Sequence, residues 1–143
     1  MSKLTYAMLM IARSNAQFRT EKMAEFGLKA CHISYIINIC NQPGISQDKL
    51  AQRIYINKSN VARQAVVLEE AGYITRRPSL ADKRVQELYP TDKALELLPQ
   101  IKAILDEWSQ LLTAGLTAEE AMMATELLEK MQKNAGQWME EHG

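Results

Sequence analysis

The stretch from Asn57 to Pro90 limits what this chain can fold into more than any other. It opens Asn57-Lys58-Ser59-Asn60-Val61-Ala62-Arg63-Gln64 and continues to Ala71-Gly72. Asn57 suits an N-cap, because its side-chain oxygen can accept a free backbone N–H of the first helical turn. Gly72 suits a helix end, since glycine enters the left-handed region without steric cost. Between these caps Val61, Ala65 and Leu68 recur at i, i+4 and i+7, which predicts one narrow buried face. Ser59 and Arg63 fall on the opposite face, with Asn60 and Ala62 flanking. A helix that enters the DNA major groove end-on reads bases through such N-terminal residues.

Two short extended runs follow, Tyr73-Ile74-Thr75-Arg76-Arg77 and Val85-Gln86-Glu87-Leu88-Tyr89-Pro90. They are joined by the charged tip Pro78-Ser79-Leu80-Ala81-Asp82-Lys83-Arg84. A helix followed by a two-stranded hairpin with a basic tip predicts a winged helix, its helix in the major groove and its tip able to reach a neighbouring minor groove. Upstream, Ser46 can cap a short helix with Asp48 in its first turn and Leu50, Ala51 and Ile54 as buried positions. That helix, the Tyr55-Ile56 link and the helix after Asn57 make a helix-turn-helix.

These residues resemble the MarR family (multiple antibiotic resistance type). The resemblance rests on Ser59 to Arg63, then Leu68-Glu69-Glu70-Ala71-Gly72, then Tyr73-Ile74, then Asp82-Lys83-Arg84, and it follows nearly the whole chain in order and spacing. The chain departs from the family pattern at Gln64, where an apolar residue is usual, and at Val66 and Val67, where polar ones are. It departs again at Ala94, where a glycine commonly follows the wing strand. The resemblance implies that Arg84 enters the minor groove from the wing tip while Asp82 holds it, and a guanidinium suits that narrow electronegative groove. Lys58, Arg76, Arg77 and Lys83 are assigned to phosphates, which position without specifying. Because Arg76 and Arg77 alternate along a strand, at most one of them is expected to face DNA. Ser59, Asn60 and Arg63 are candidates for base edges, with Arg63 to guanine and Asn60 to adenine as natural pairings; Gln64 is grouped with them.

Net charge over the 143 residues is zero, which by itself argues against a nucleic-acid partner. The distribution argues otherwise. Residues 45–90 carry eight Lys/Arg against five Asp/Glu, a local excess of three positive charges, and the rest of the chain carries the opposite excess. Phosphate contacts depend on that local charge.

Outside this lobe the pattern is helical. A first helix is expected from about Leu4 to Ala24, with Leu4, Met8, Ile11, Ala12 and Phe18 apolar, broken by Gly27. A second is expected from about Lys29 to Cys40, ended by Asn41-Gln42-Pro43-Gly44. After Pro90 a long helix begins at Thr91-Asp92 with a stripe of Leu97, Leu98, Ile101, Ile104, Leu105, Trp108, Leu111 and Leu112, and Pro99 predicts a kink or break near Leu98. Thr117-Ala118-Glu119-Glu120 is a capping box before a last helix reaching about Trp138. The whole predicts a mainly α fold with a small β-hairpin wing. Residues 1–143 form one unit, with a winged helix-turn-helix DNA-binding lobe at about 30–90 and dimerisation helices at about 1–25 and 91–143. The terminal helices carry more apolar surface than a small winged helix needs, and the resemblance implies a homodimer that sets two recognition helices on a pseudo-palindromic operator.

Enzyme chemistry finds no footing. His32 and His142 are the two histidines, and no HExxH, Gly-rich phosphate loop or GxSxG occurs, so no catalytic residue, metal or cofactor is expected. His32 reads as a partly buried structural residue. Cys31 and Cys40 are nine residues apart, about 900° around a helix, so they face opposite sides and cannot pair within it. Relatives sense oxidants through a first-helix cysteine that this chain lacks, so two ordinary thiols are the default. Relatives also bind small phenolic or aromatic carboxylates, and His32, Tyr35, Met8 and Ile11 are the candidates to line such a space. No apolar run approaches the roughly 18 residues of a membrane span, and no export signal is read, so a cytoplasmic location is expected. The chain therefore reads as a sequence-specific DNA-binding transcriptional regulator, a dimeric repressor relieved by a small aromatic effector. The alternatives are a winged helix for protein–protein contact through Val66 and Val67, or an oxidant sensor using Cys31 or Cys40.

Overall fold

A computed structural model describes residues 1–142. Within them the elements run α1 (Lys3–Met23), a 3-10 turn (Ala24–Phe26), α2 (His32–Asn41), β1 (Ile45–Ser46), α3 (Gln47–Ile54), α4 (Lys58–Glu70), β2 (Ile74–Pro78), β3 (Gln86–Pro90), α5 (Asp92–Leu112) and α6 (Ala118–His142). The mainly helical fold with a small antiparallel wing matches the sequence expectation. Residues 1–106 and the residues from Glu107 onward form two compact units.

In the first unit the core is built on α4. Val61, Ala65 and Leu68 are fully buried among Ile33, Ile36 and Ile39 of α2, Leu50 of α3, Ile74 and Leu88 of the sheet, and Leu97 and Ile101 of α5. Each fully buried aliphatic side chain of this size contributes about 1.5–3 kcal/mol. The caps fall where the sequence places them. Asn57 Oδ1 accepts the Asn60 N–H at 2.8 Å, and Gly72, at φ +84°, turns the chain out of α4 into β2. The end of α4 is fastened to the start of α5: Lys93 Nζ donates to Ala71 O at 2.8 Å, and Thr91 Oγ1 lies 2.6 Å from Gly72 O and 3.0 Å from Tyr73 O.

The sheet has three strands rather than the expected two, in the order β1-β3-β2, all antiparallel. Ile45 pairs with Leu88, and the Gly44 N–H donates to Leu88 O at 2.8 Å. Ser46 serves both as the end of β1 and as the cap of α3, accepting the Lys49 N–H at 3.1 Å. Gly44 sits at φ +89° with no room to spare, because an added Cβ would come within 3.2 Å of the Tyr89 hydroxyl. The wing is tied to α4 by Glu69. Its carboxylate accepts both Nε and Nη2 of Arg76, at 3.2 and 3.1 Å, and also the Arg76 backbone N–H at 3.2 Å.

Three expectations about helix continuity and bounds need correction. Pro99 does not break α5, which runs from Asp92 to Leu112 with the proline inside. The carbonyl that loses its partner belongs to Leu95, on an exposed face where water can serve it. α2 starts at His32, not Lys29, because Lys29 and Ala30 accept the His32 and Ile33 N–H groups in a preceding turn. Along α1, Leu4, Met8, Ile11 and Ala12 are exposed, and Met23 is the buried residue. α6 runs on to His142, whose ring stacks on Trp138 at 4.7 Å. In that second unit the predicted capping box forms, with Thr117 Oγ1 accepting the Glu120 N–H at 3.1 Å and Glu120 accepting the Thr117 N–H at 2.9 Å.

Two substitutions test this packing. Leu68→Ala should lower unfolding free energy by about 2–5 kcal/mol in urea titration, whereas Val67→Ala, one step around α4 and exposed, should change it by less than about 0.5 kcal/mol. Equal costs would place the wrong face of α4 in the core. Glu69→Ala should cost about 1–3 kcal/mol, because it strips the acceptors from a guanidinium and a backbone N–H. It should also speed hydrogen exchange at the Arg76 amide.

Candidate nucleic-acid interface

A helix N-terminus carries the positive end of the backbone dipole, worth about half an elementary charge. At that end of α4 stand Lys58, Ser59 and Arg63, all exposed, because Val61, Ala65 and Leu68 fix the opposite face inward. Ser59 Oγ donates to Asn57 Oδ1 at 2.9 Å, so the cap also orients the hydroxyl. Lys58 Nζ lies 3.5 Å from Asp48 at the start of α3, an open pair in which both side chains are mostly exposed. Asn60 is half-buried, and its Oδ1 accepts Arg63 Nη2 at 3.5 Å, a weak contact that a competing partner replaces at little cost.

Gln64 points elsewhere. Its Oε1 lies 2.8 Å from Nε2 of His32, a buried residue of α2. This contact accounts for the polar residue at a position the family pattern keeps apolar, and it separates Gln64 from the outward group of Lys58, Ser59 and Arg63. Val66, one of the two apolar departures, is half-buried, and Val67 is exposed.

The wing tip is locally organised. Ser79 N–H donates to Val85 O at 2.8 Å, and Val85 N–H to Asp82 O at 2.9 Å, which closes the turn. Asp82 Oδ1 accepts Nε of Arg84 at 3.2 Å and its backbone N–H at 3.0 Å, and Oδ2 accepts Nη2 at 3.3 Å. These bonds from the Arg84 side chain and backbone hold the Asp82 carboxyl below its ordinary range. The guanidinium is nonetheless 91% exposed, so it is aimed but not used up. Lys83 beside it is exposed as well.

Of the two alternating arginines, Arg77 is the exposed one and Arg76 is half-buried on Glu69. Arg77 lies over the Tyr89 ring at 4.6 Å, and Tyr89 donates its hydroxyl to Glu87 at 3.1 Å. Sequence reasoning missed Glu69 and Tyr89 as supports. The alternation of Glu87 and Tyr89 along one strand face, opposite Arg77, is the signal that would have found the second.

The residues suggested for an effector differ in exposure. His32 and Tyr35 are buried on α2 with their rings edge-on at 6.2 Å, whereas Met8 and Ile11 stand exposed on α1. Cys31 is exposed and Cys40 half-buried, and burial pushes the Cys40 thiol up, with Lys102 opposing. No group of histidine, cysteine and acidic residues suited to a metal occurs among the described residues, and no helix among them is long and apolar enough to cross a membrane.

Known proteins share this arrangement. The MarR family model matches residues 30–85, the segment from the turn before α2 to the end of the wing tip. An uncharacterised HTH-type transcriptional regulator, YybA of Bacillus subtilis (strain 168), is 29% identical over 125 residues, 87% of this chain and 83% of that protein. Among solved structures, a MarR protein from Peptoclostridium difficile superposes with a TM-score of 0.96 at 27% identity, over 99% of this chain and 93% of the other. A MarR family transcriptional regulator from Listeria monocytogenes, solved in complex with a 26mer DNA, gives a TM-score of 0.89 at 26% identity over 97% and 93%. The family motif over residues 30–85, the wing and the superposition agree, and together they make the chain similar in sequence and fold to the MarR family of winged-helix transcriptional regulators.

Proposed function

We propose that this chain acts in the cytoplasm as a homodimeric, sequence-specific DNA-binding repressor. The observation that carries the reading is the exposed Arg84, aimed by Asp82 at the wing tip, together with the exposed Ser59 and Arg63 at the dipole-positive end of α4. Arg63 and Asn60 address base edges in the major groove, with Ser59 beside them. Arg84 enters the minor groove, and Lys58, Arg77 and Lys83 neutralise phosphates. Arg76 supports this surface by fixing β2 to Glu69. The likeness to a regulator solved with a 26mer DNA supports the same reading.

A second copy is the partner that the terminal helices call for. Tyr6, Leu9 and Met10 of α1 are exposed in the single chain, as are Met122, Met123 and Trp138 of α6, more bare apolar surface than a monomer sustains. Two copies related by a two-fold axis present two α4 helices to a pseudo-palindromic operator. A small aromatic effector relieves repression in this reading, with Tyr35 and His32 available only if the lobe opens around them. The rival readings find less support. Protein contact through Val66 and Val67 has a half-buried residue for half of its surface. The raised Cys40 thiol is the reverse of what an oxidant-sensing thiolate needs.

Fluorescence anisotropy with a labelled duplex from upstream of the chain's own reading frame tests the proposal. Binding should weaken steeply as salt rises, with a slope that reports the number of phosphates neutralised. Arg84→Ala should weaken binding by roughly tenfold or more and flatten sequence preference at the minor-groove positions. Salt-independent association, or none with any duplex, would overturn the assignment.

A further inference from the structure

Among the described residues His32 is a nitrogen-bearing side chain buried in the core, 1% exposed. Both of its ring nitrogens are occupied. Nδ1 lies 3.0 Å from the backbone nitrogen of Lys29, and Nε2 lies 2.8 Å from Oε1 of Gln64. A backbone N–H can only donate, so Nδ1 must offer its lone pair. The proton of the neutral ring is then on Nε2, donated to Gln64. One tautomer satisfies this site, and the protonated ring does not. Imidazolium carries a proton on Nδ1 as well, which would face the Lys29 N–H donor to donor inside the core.

Gln64 is not an incidental partner. It follows Arg63 on α4, four residues past the half-buried Asn60, so the bond ties α2 to the helix that carries the proposed base-reading residues. The surroundings give the charged ring no compensation. Lys29 on the preceding turn adds like charge, Tyr35 on α2 presents a neutral ring edge-on, and α4 faces the ring with the uncharged amide of Gln64. No carboxylate pairs with His32 among the described residues.

We propose that the His32–Gln64 pair is a proton-operated latch on the recognition helix. With the ring neutral, α4 is held against α2. When the ring takes up a proton it must leave its buried site for water, Gln64 loses its donor, and α4 loosens. The inference deepens the DNA-binding reading and rests on it for its effect on affinity, but not for the movement of α4.

The direction of the effect follows from linkage. Burial lowers the His32 pKa below the ordinary value of 6.5; the bond to Gln64 pulls it back up, and the Lys29 charge lowers it further. The latched state therefore binds fewer protons than the open one. Its advantage is complete above the ordinary histidine pKa and is lost as pH falls below it towards the depressed value.

The test uses the full chain. Long-range proton–nitrogen NMR of the imidazole rings from about pH 8 to about pH 5 follows His32. The expected spectrum shows a neutral Nε2–H ring at His32 that titrates below the ordinary histidine value of 6.5, with amide exchange from Val61 to Leu68 accelerating at the same midpoint. In His32→Gln and in Gln64→Leu the exchange of α4 should no longer follow pH through that midpoint, and either variant serves if the other fails to fold. In the anisotropy assay at fixed salt, wild-type affinity should fall at least about threefold more between about pH 7.5 and about pH 5.5 than that of the variants, as expected for a group whose pKa differs between two states. The latch is refuted if His32 titrates while α4 exchange stays constant, or if the variants keep the wild-type pH response. If no duplex binds at any pH, the repressor reading fails, and the exchange data still decide the latch.

Discussion

The rotational setting of α4 is the constraint on which the rest of the lobe depends. Three side chains establish it: Val61, Ala65 and Leu68, each with no exposed surface. A helix turns by about 100° per residue, so burying this stripe leaves Ser59 and Arg63 no option but to face outward. Glu69, just past the last buried position, points to the wing and receives Arg76. Helix and wing are thereby oriented by one packed stripe and one ion pair, in which both guanidinium donors share Glu69 Oε1, and the charged tip inherits its direction from both. Arg84 then needs only a local partner, and Asp82, two residues away, supplies it.

What the sequence made legible is local. Asn57 and Gly72 bracket α4 because each answers a backbone requirement within a turn of itself, and Thr117 with Glu120 does the same for α6. The apolar spacing of α4 was readable for the same reason. The features that escaped are those decided by residues far along the chain. β1 is two residues long and is a strand only because Leu88 lies beside it. The partner of Gln64 is thirty-two positions away, so a polar residue in an apolar slot looked like an anomaly until His32 was found against it. Pro99 does not end α5, because the one helical hydrogen bond it removes is that of Leu95, an exposed residue, while the rest of the helix keeps its own ladder. Of the outward residues, composition and position indicated Arg63 and Arg84; the division of labour between Arg76 and Arg77 required the register of β2 on β3.

Charge in this molecule is arranged, not accumulated. A chain with no net charge still offers a basic face, because its excess lies within the helix-turn-helix and wing while compensating acids lie elsewhere. Part of that basic charge is already paired, at Arg76 with Glu69 and at Lys58 with Asp48. The pairs differ in kind. The first is half-buried, holds both the guanidinium and the backbone N–H of Arg76 and fixes geometry, whereas the second is open and exchangeable, so that a phosphate can take the place of Asp48 at modest cost.

The fastening of α4 to the start of α5 has a mechanical consequence. Lys93 and Thr91 grip the carbonyls of Ala71, Gly72 and Tyr73, so the first turn of α5 and the last turn of α4 move as one piece. α4 is thirteen residues long, and at 1.5 Å per residue its far end lies about 20 Å from that grip. A tilt of roughly 10° at the grip swings the Lys58 end by roughly 3 Å, close to the spacing of stacked base pairs. The joint is thus a lever whose short arm is a single turn, and a small rotation at it is enough to carry the reading end across one step of a duplex.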